Sequence, residues 1–382
     1  AVSDGRLEVS VIMPCLNEAA TVAICIGKAR AALAAAGLDG EVVVADNGSD
    51  DGSPALAAAA GARVVSAPVR GYGAAYLAGL EAARGIYLVL GDADDTYDFG
   101  AVPEFVAALK AGNDVVLGSR FRGRILPGAM PWLHRYVGNP VLSGILSLFF
   151  GARVSDAHCG LRAMTQAALE RMRLRSTGME FASEMVAVAL RHGLRVAEIP
   201  ITYYPRGGES KLRSFRDGWR HLRFMLLLSP TPLFLIPGFL AVLIGLLGLF
   251  ALLPGPVHVG SFTFDYHFMF VASALAILGA QLVFLGLAAK TYARAAFPER
   301  RDVWVDFLDR RFTLERGLLV GLSVAAAGLG INAWILSAWL AAGRGQLFAV
   351  QPALLGLSLI VIGAQIVFGS FFISVLRDDG RR

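Results

Sequence analysis

Ile86-Tyr87-Leu88-Val89-Leu90-Gly91-Asp92-Ala93-Asp94-Asp95 sets an unbroken apolar run directly against a cluster of carboxylates. A short continuous apolar run bounded by turn residues reads as a strand buried on both faces. Similar runs flank it: Val9–Met13, Glu41–Ala45 and Ala62–Ser66 before it, Asp114–Leu117 after it. Between them, Ala19–Ala36, Ser53–Ala60, Gly73–Ala83 and Val102–Ala111 are Ala-rich and read as helices. Strands spaced by helices of this length predict a mostly parallel α/β sheet. Such sheets bind ligands at the carboxyl ends of their strands. The polar clusters Asn17–Glu18, Asp46–Asp51 and Asp92–Asp95 all fall there.

The composition changes near residue 230. Across the whole chain of 382 residues, 55% are hydrophobic and only 17% charged, with a mean hydropathy of +0.58. Soluble chains carry about 25% charged residues, which points to a part lying in lipid. Four apolar stretches, 231–253, 266–289, 317–341 and 351–376, supply it; each exceeds the roughly 20 helical residues that cross a bilayer. An all-α transmembrane domain of four helices is expected at 231–376, after a catalytic domain at 1–212. Lys290, Arg294, Arg300, Arg301, Arg310, Arg311 and Arg316 crowd the middle connection, whereas the other two share Arg344 alone. Counting positive charges inside puts the N-terminal half, the middle loop and the C-terminus in the cytoplasm. Residues 1–8 are polar and the first apolar run is short, so no signal peptide is expected. Basic residues at membrane edges account for the net charge of +5 without nucleic acid. Cys15, Cys25 and Cys159 have no metal-ligand spacing and read as reduced thiols.

Arg213–Ser229, within 213–230, reads as an amphipathic helix lying in the membrane interface. Phe215, Trp219, Leu222 and Leu226 share one face, with Arg213, Arg216, Arg220 and Arg223 on its flank. The membrane part also repeats: Ile277-Leu278-Gly279-Ala280-Gln281-Leu282-Val283-Phe284 closely matches Val361-Ile362-Gly363-Ala364-Gln365-Ile366-Val367-Phe368. Each lies in the second helix of a hairpin, so a parallel repeat is expected. A Gln at the matching depth of each predicts polar contact between the hairpins or with a neighbouring subunit of a homo-oligomer.

Two carboxylates just past a buried strand, Asp92 and Asp94, can hold a hard divalent ion against a diphosphate. Position by position, the first 212 residues resemble the GT-A, family 2 glycosyltransferases, and among them the polyprenyl-phosphate hexose synthases such as dolichol-phosphate mannose synthase. Val11-Ile12-Met13-Pro14-Cys15-Leu16-Asn17-Glu18 resembles the V-I-P-x-x-N-E opening, and Asp46-Asn47-Gly48-Ser49-Asp50-Asp51-Gly52-Ser53 resembles D-D-G-S-x-D-G-T. Arg70-Gly71-Tyr72-Gly73 resembles the Gly-rich turn, Asp92-Ala93-Asp94 the D-A-D core, and Gly118-Ser119-Arg120 the G-S-R motif. Asp156-Ala157-His158-Cys159-Gly160-Leu161-Arg162 resembles D-x-x-x-G-F-R. Ile199-Pro200-Ile201, then Arg206 with Gly208-Glu209-Ser210-Lys211, resembles I-P-I and R-x-x-G-x-S-K.

The resemblance implies a GT-A fold and a metal-dependent, inverting transfer of glucose or mannose from a UDP- or GDP-hexose to polyprenyl (dolichyl) phosphate. It implies an integral protein of the cell membrane with its catalytic domain in the cytoplasm. Pro14, Asn17, Glu18, Asp46, Asn47 and Gly73 would take the nucleotide-sugar, Asp92 and Asp94 the Mg²⁺ or Mn²⁺ and diphosphate, and Arg120, Arg206, Ser210 and Lys211 the acceptor phosphate. Glu184 matches a Glu near the acceptor; as bland alternatives, Glu184 fits a solvated helix face and Arg162 a sheet-edge salt bridge. The family often continues D-A-D-L-Q, where this chain has Asp95 and Thr96, so Asp95 or a water is expected to substitute at the metal. Asn47 replaces the second Asp of D-D-G-S. His134 and His158 are given no role as base. Two other readings stay open: a processive polysaccharide synthase, whose Q-x-x-R-W motif has no Arg-Trp counterpart here, and a lipid-flipping or transport protein with a non-catalytic domain.

Overall fold

The computed structural model describes residues 7–151, 154–207, 214–296, 313–345 and 347–379. The chain divides into two compact units, Ala1–Leu228 and Ser229–Arg382. In the first, β1 (Val9–Cys15), β2 (Gly40–Asp46), β3 (Arg63–Ser66) and β4 (Tyr87–Leu90) alternate with α1 (Val22–Ala35), α2 (Ser53–Ala59) and α3 (Tyr72–Ala82). There follow α4 (Val102–Lys110), β5 (Val115–Ile125), α5 (Asn139–Phe150), β6 (Arg162–Thr165), α6 (Gln166–Met172), α7 (Phe181–Arg191), β7 (Val196–Tyr203) and α8 (Ser214–Leu228).

The seven strands form one sheet in the order β3-β2-β1-β4-β6-β5-β7. Pairing is parallel except at β6, which enters between β4 and β5 antiparallel to each. Side chains on a strand alternate between faces, and here both faces are covered. Val9, Val11 and Met13 pack under α1 and α4 with Cys25, Ile26, Phe105 and Val106. Ile12, Leu88 and Leu90 pack on the opposite face with Tyr76, Leu146, Phe181 and Met185. This explains why β1 and β4 are continuous apolar runs rather than alternating ones. The three cysteines are free and buried.

The helix expected at 213–230 is α8. It buries Met225 completely within the layer formed by α5 and α7, so the first compact unit includes it. Trp219 remains 58% exposed, and Arg223 is exposed too. One helix thus both packs on its own domain and presents an aromatic, basic face outward.

In the second unit, a wide helical turn at Thr231–Leu235 leads into α9 (Ile236–Leu252). A small hairpin, β8 (Val257–Val259) and β9 (Phe262–Phe264), precedes α10 (Tyr266–Ala296), α11 (Leu314–Ala341) and α12 (Val350–Asp379). Among the described residues these give four helices long and apolar enough to cross a membrane: Thr231–Leu252, Tyr266–Tyr292, Leu314–Ala341 and Val350–Arg377. Their outward surfaces are apolar, with Leu243, Leu247, Phe250, Leu319, Leu322 and Phe368 all exposed. Water would not tolerate such a surface, and lipid requires it. Arg300, Arg301, Arg310 and Arg311, which carry much of the orientation argument, lie outside the described residues.

The repeat extends to the packing. A Cβ on Gly279 would lie 2.5 Å from Val242 N, and one on Gly363 2.5 Å from Ala325 N. Gly245 would meet Ala276 N at 2.4 Å, and Gly328 would meet Ile360 N at 2.8 Å. Both hairpins therefore close backbone to backbone through glycines at matching places, as helices in lipid do. Gln365 Nε2 donates to Gln281 Oε1 at 3.2 Å. Matching residues of the two repeats thus meet each other, the mark of a local two-fold relation between α10 and α12. Of the two partners expected for these glutamines, the other hairpin supplies this contact.

Candidate active site

The carboxyl ends of β1, β2 and β4 meet at one rim of the sheet, where local hydrogen bonds fix three loops. Asn17 adopts a left-handed backbone, φ 54°, which Asn tolerates better than most residues. Its amide donates to Ser49 Oγ at 2.9 Å, and its Oδ1 accepts from Asp50 N at 2.9 Å. Asp46 closes the turn after β2 by accepting from Gly48 N and Ser49 N. Ala19 N donates to Asp51, and Glu18 N donates to Ser53 Oγ at 2.9 Å. Pro14 pairs with Ala45 in the β1–β2 register, one position before Cys15. Asn47 is buried and spends its amide on backbone, donating to Ala67 O and Val69 O and accepting from Gly71 N. Gly73 sits where a Cβ would lie 2.1 Å from Ser176 O, so only glycine lets α3 approach the 176–178 loop. Asn47 and Gly73 therefore shape the rim through the backbone.

Asp92 follows β4, and its Oδ1 accepts from the hydroxyls of Tyr72 at 3.1 Å and Tyr76 at 3.0 Å. Burial, then the charge of Asp94, push its carboxyl above the usual carboxylate range. A Cβ on Gly160 would lie 2.4 Å from Asp92 Oδ2, so the D-x-x-x-G segment must carry glycine there. Asp94 is 8% exposed; its Oδ1 accepts from Thr96 N at 3.1 Å and Thr96 Oγ1 at 2.6 Å. Its Oδ2 lies 3.2 Å from Arg206 Nη1. Asp95 turns the other way, with φ 59°, and pairs with Lys28 Nζ at 2.7 Å. Of the two substitutes expected at the metal, Asp95 or a water, Asp95 is paired with α1 through Lys28, and Thr96 stands beside Asp94.

Arg206 reaches this cluster because Tyr204 N donates to Thr96 O at 3.0 Å and Tyr97 bridges to Tyr203. Its Nη2 donates to Glu18 Oε1 at 2.6 Å. Arg120 is also at the rim, but its guanidinium makes a two-pronged pair with buried Asp156, at 2.7 and 2.8 Å, and lies over the Tyr203 ring. Ser210 and Lys211 lie outside the described residues. Glu184 is buried and accepts from Arg175 N and Ser176 N, so it organises the 175–178 loop and is not a solvated helix residue. Arg162 donates to Ala157 O, Cys159 O and Ala182 O; β6 is internal to the sheet, so no edge salt bridge forms.

Sequence reasoning passed over Tyr72 and Tyr76 as functional groups. Their i,i+4 spacing straight after the Gly-rich turn was the available signal. A hard divalent ion fits the donor set at Asp92 and Asp94: oxygen ligands only, on two carboxylates close enough for the charge of Asp94 to act on Asp92. No cluster of three or more His, Cys, Asp or Glu occurs among the described residues, so water and a diphosphate would complete the coordination.

A family model described as Glycosyl transferase family 2 matches residues 10–173, and one described as Glycosyltransferase family 2 C-terminal transmembrane region matches residues 287–377. The low-salt glycan biosynthesis hexosyltransferase Agl6 of Haloferax volcanii is 43% identical over 377 residues, spanning 98% of this chain and 91% of that one. A dolichyl-phosphate hexose transferase of the same organism is 39% identical over 181 residues, 47% of this chain and 76% of that one. Among solved structures, glucosyl-3-phosphoglycerate synthase of Mycobacterium tuberculosis is similar with a TM-score of 0.47 and 26% identity, over 58% of this chain and 79% of that one. Matched in both of its units, and along nearly its whole length by a hexosyltransferase, the chain is an integral membrane protein and a glycosyltransferase belonging to glycosyltransferase family 2.

Proposed function

We propose that this enzyme moves a hexose from a nucleoside-diphosphate sugar to a polyprenyl (dolichyl-type) phosphate, with inversion, at the cytoplasmic face of the cell membrane. The observation that carries the reading is the Asp92–Asp94 pair at the end of β4 with the Arg206 guanidinium upon it. The similarity to a dolichyl-phosphate hexose transferase supports the acceptor class. In this reading Pro14, Asn17, Glu18, Asp46, Asn47 and Gly73 form the donor side. Arg120, Arg206, Ser210 and Lys211 form the acceptor side, where charged donors suit phosphate. Bound at Asp92 and Asp94, Mg²⁺ or Mn²⁺ would neutralise charge on the leaving diphosphate.

An acceptor phosphate oxygen attacks the anomeric carbon, and the bond from that carbon to the diphosphate oxygen breaks on the opposite face. The acceptor is already anionic at neutral pH, so no side chain has to remove a proton. The chain's own groups orient the two substrates and stabilise charge. The exposed Trp219 and Arg223 of α8 suit a surface lying against lipid headgroups, near which such an acceptor resides.

Purified protein given labelled UDP- and GDP-hexoses and polyprenyl phosphate should form a labelled lipid, and excess chelator should abolish it. Labelled polymer, or no lipid product with any donor, would refute the reading. Undiminished turnover in chelator would remove its metal component.

A further inference from the structure

Arg206 stands on the stretch that follows β7 and answers two carboxylates from different parts of the fold. Nη2 lies on Glu18 at 2.6 Å and Nη1 on Asp94 at 3.2 Å. The third nitrogen, Nε, is buried without a hydrogen-bond partner among the described residues. An orphaned buried donor of this kind is costly, so the guanidinium is held here by charge rather than by a full set of bonds. Thr96 already ties down Asp94 Oδ1, and Arg206 takes the other oxygen. Asp94 therefore has both oxygens engaged, and the positive charge beside it belongs to the protein itself.

We propose that Arg206 is a placeholder cation. It neutralises Glu18 and Asp94 while donor and divalent ion are away, and it yields Asp94 when they arrive. The inference rests on the donor-site reading above. Without Arg206, Asp94 would lose the cation facing its second oxygen while the charge of Asp92 stays nearby, an arrangement that folded proteins avoid. A divalent ion and a guanidinium on one carboxylate repel each other, so the ion binds the donor-free protein weakly. A diphosphate changes the balance by bringing negative charge of its own for the displaced guanidinium, which then faces phosphate and not carboxylate. Arg206 thereby makes acceptor-side charge available only after the donor is seated, and substrate binding becomes ordered.

Mn²⁺ binding to the full-length protein in detergent, followed by electron paramagnetic resonance without nucleotide, tests this on wild type, Arg206→Gln and Arg206→Lys. Removing the competing charge should tighten Mn²⁺ binding about tenfold in Arg206→Gln, while Arg206→Lys, which keeps the charge, stays near wild type. A group that merely held phosphate or propped the fold would give unchanged or weaker Mn²⁺ binding, and either result overturns the proposal. UDP and GDP are titrated in parallel by calorimetry. Intact nucleotide binding with equal Mn²⁺ affinities would sink the placeholder alone. Failure of wild type to bind Mn²⁺ and either nucleotide would sink the donor-site reading and the placeholder with it.

Discussion

Thr96 shows how far one side chain can be read ahead of a structure. The motif Asp92-Ala93-Asp94 identified the charged pair, and Thr96 stood out only as a departure from the family pattern. Its hydroxyl, 2.6 Å from Asp94 Oδ1, presents that carboxylate to the site. A hydrogen bond to a charged group contributes about 1.5–3 kcal/mol. Thr96→Val should accordingly lower turnover roughly ten- to a hundredfold and lower the thermal midpoint with it, whereas Thr96→Ser keeps most of both. Equal turnover for all three proteins would show that Asp94 needs no such tether. Asn47, Arg120 and Glu184 could be singled out in the sequence, but not the contacts they make. Their partners, Val69, Asp156 and Ser176, come close only through the fold, and no local spacing announces them.

At the scale of elements, the strands around β1 and β4 were plain because burial on both faces makes them uniformly apolar. The reversed β6 was not, since its four residues include Arg162 and carry no period that distinguishes one direction from the other. Helix α8 was legible as amphipathic, yet its buried side contains a histidine. His221 is 6% exposed, with Nδ1 2.7 Å from Ser183 Oγ, which also meets His158 Nε2 at 3.1 Å. Burial, then the charge of Arg162, lowers His221 from 6.5 to about 4, although Asp217 and Glu180 pull it upward. His158 lies well below its ordinary value, through burial first and then the charges of His221, Arg162 and Arg120. The unfolded chain takes up these protons near pH 6.5 and the folded chain only at lower pH. Stability is therefore complete above pH 6.5 and falls as the pH drops towards 4, by up to about 3 kcal/mol for His221. His221→Gln should flatten this decline in thermal midpoint measured between pH 7 and 4. Parallel curves for variant and wild type would mean that His221 titrates as freely in the folded protein as in the unfolded one.

Across the whole molecule, the boundary between a charged, alternating half and an apolar half follows from composition alone, because lipid demands about 20 apolar residues per helix. The repeat was legible from one octapeptide. That the two glutamines meet each other was one of two expectations, the other being a neighbouring subunit, and sequence alone could not choose between them. The contact changes what mutation should do. Had Gln281 and Gln365 served separate partners, losing both would be worse than losing one. As a mutual pair, 3.2 Å apart, each amide depends on the other. Gln281→Leu alone strands Gln365 in an apolar groove with Phe284, Leu285, Phe368 and Phe372. The double Leu variant leaves neither amide unpaired, and replacing both partners by apolar groups is often nearly neutral. Each single variant should thus be destabilised by about 0.6 kcal/mol, the average for polar contacts between membrane helices, and by no more than about 1.7 kcal/mol. The double variant should lie closer to wild type than either single. Measured as a double-mutant cycle of unfolding in detergent, additive losses would refute the pairing and return the glutamines to separate partners.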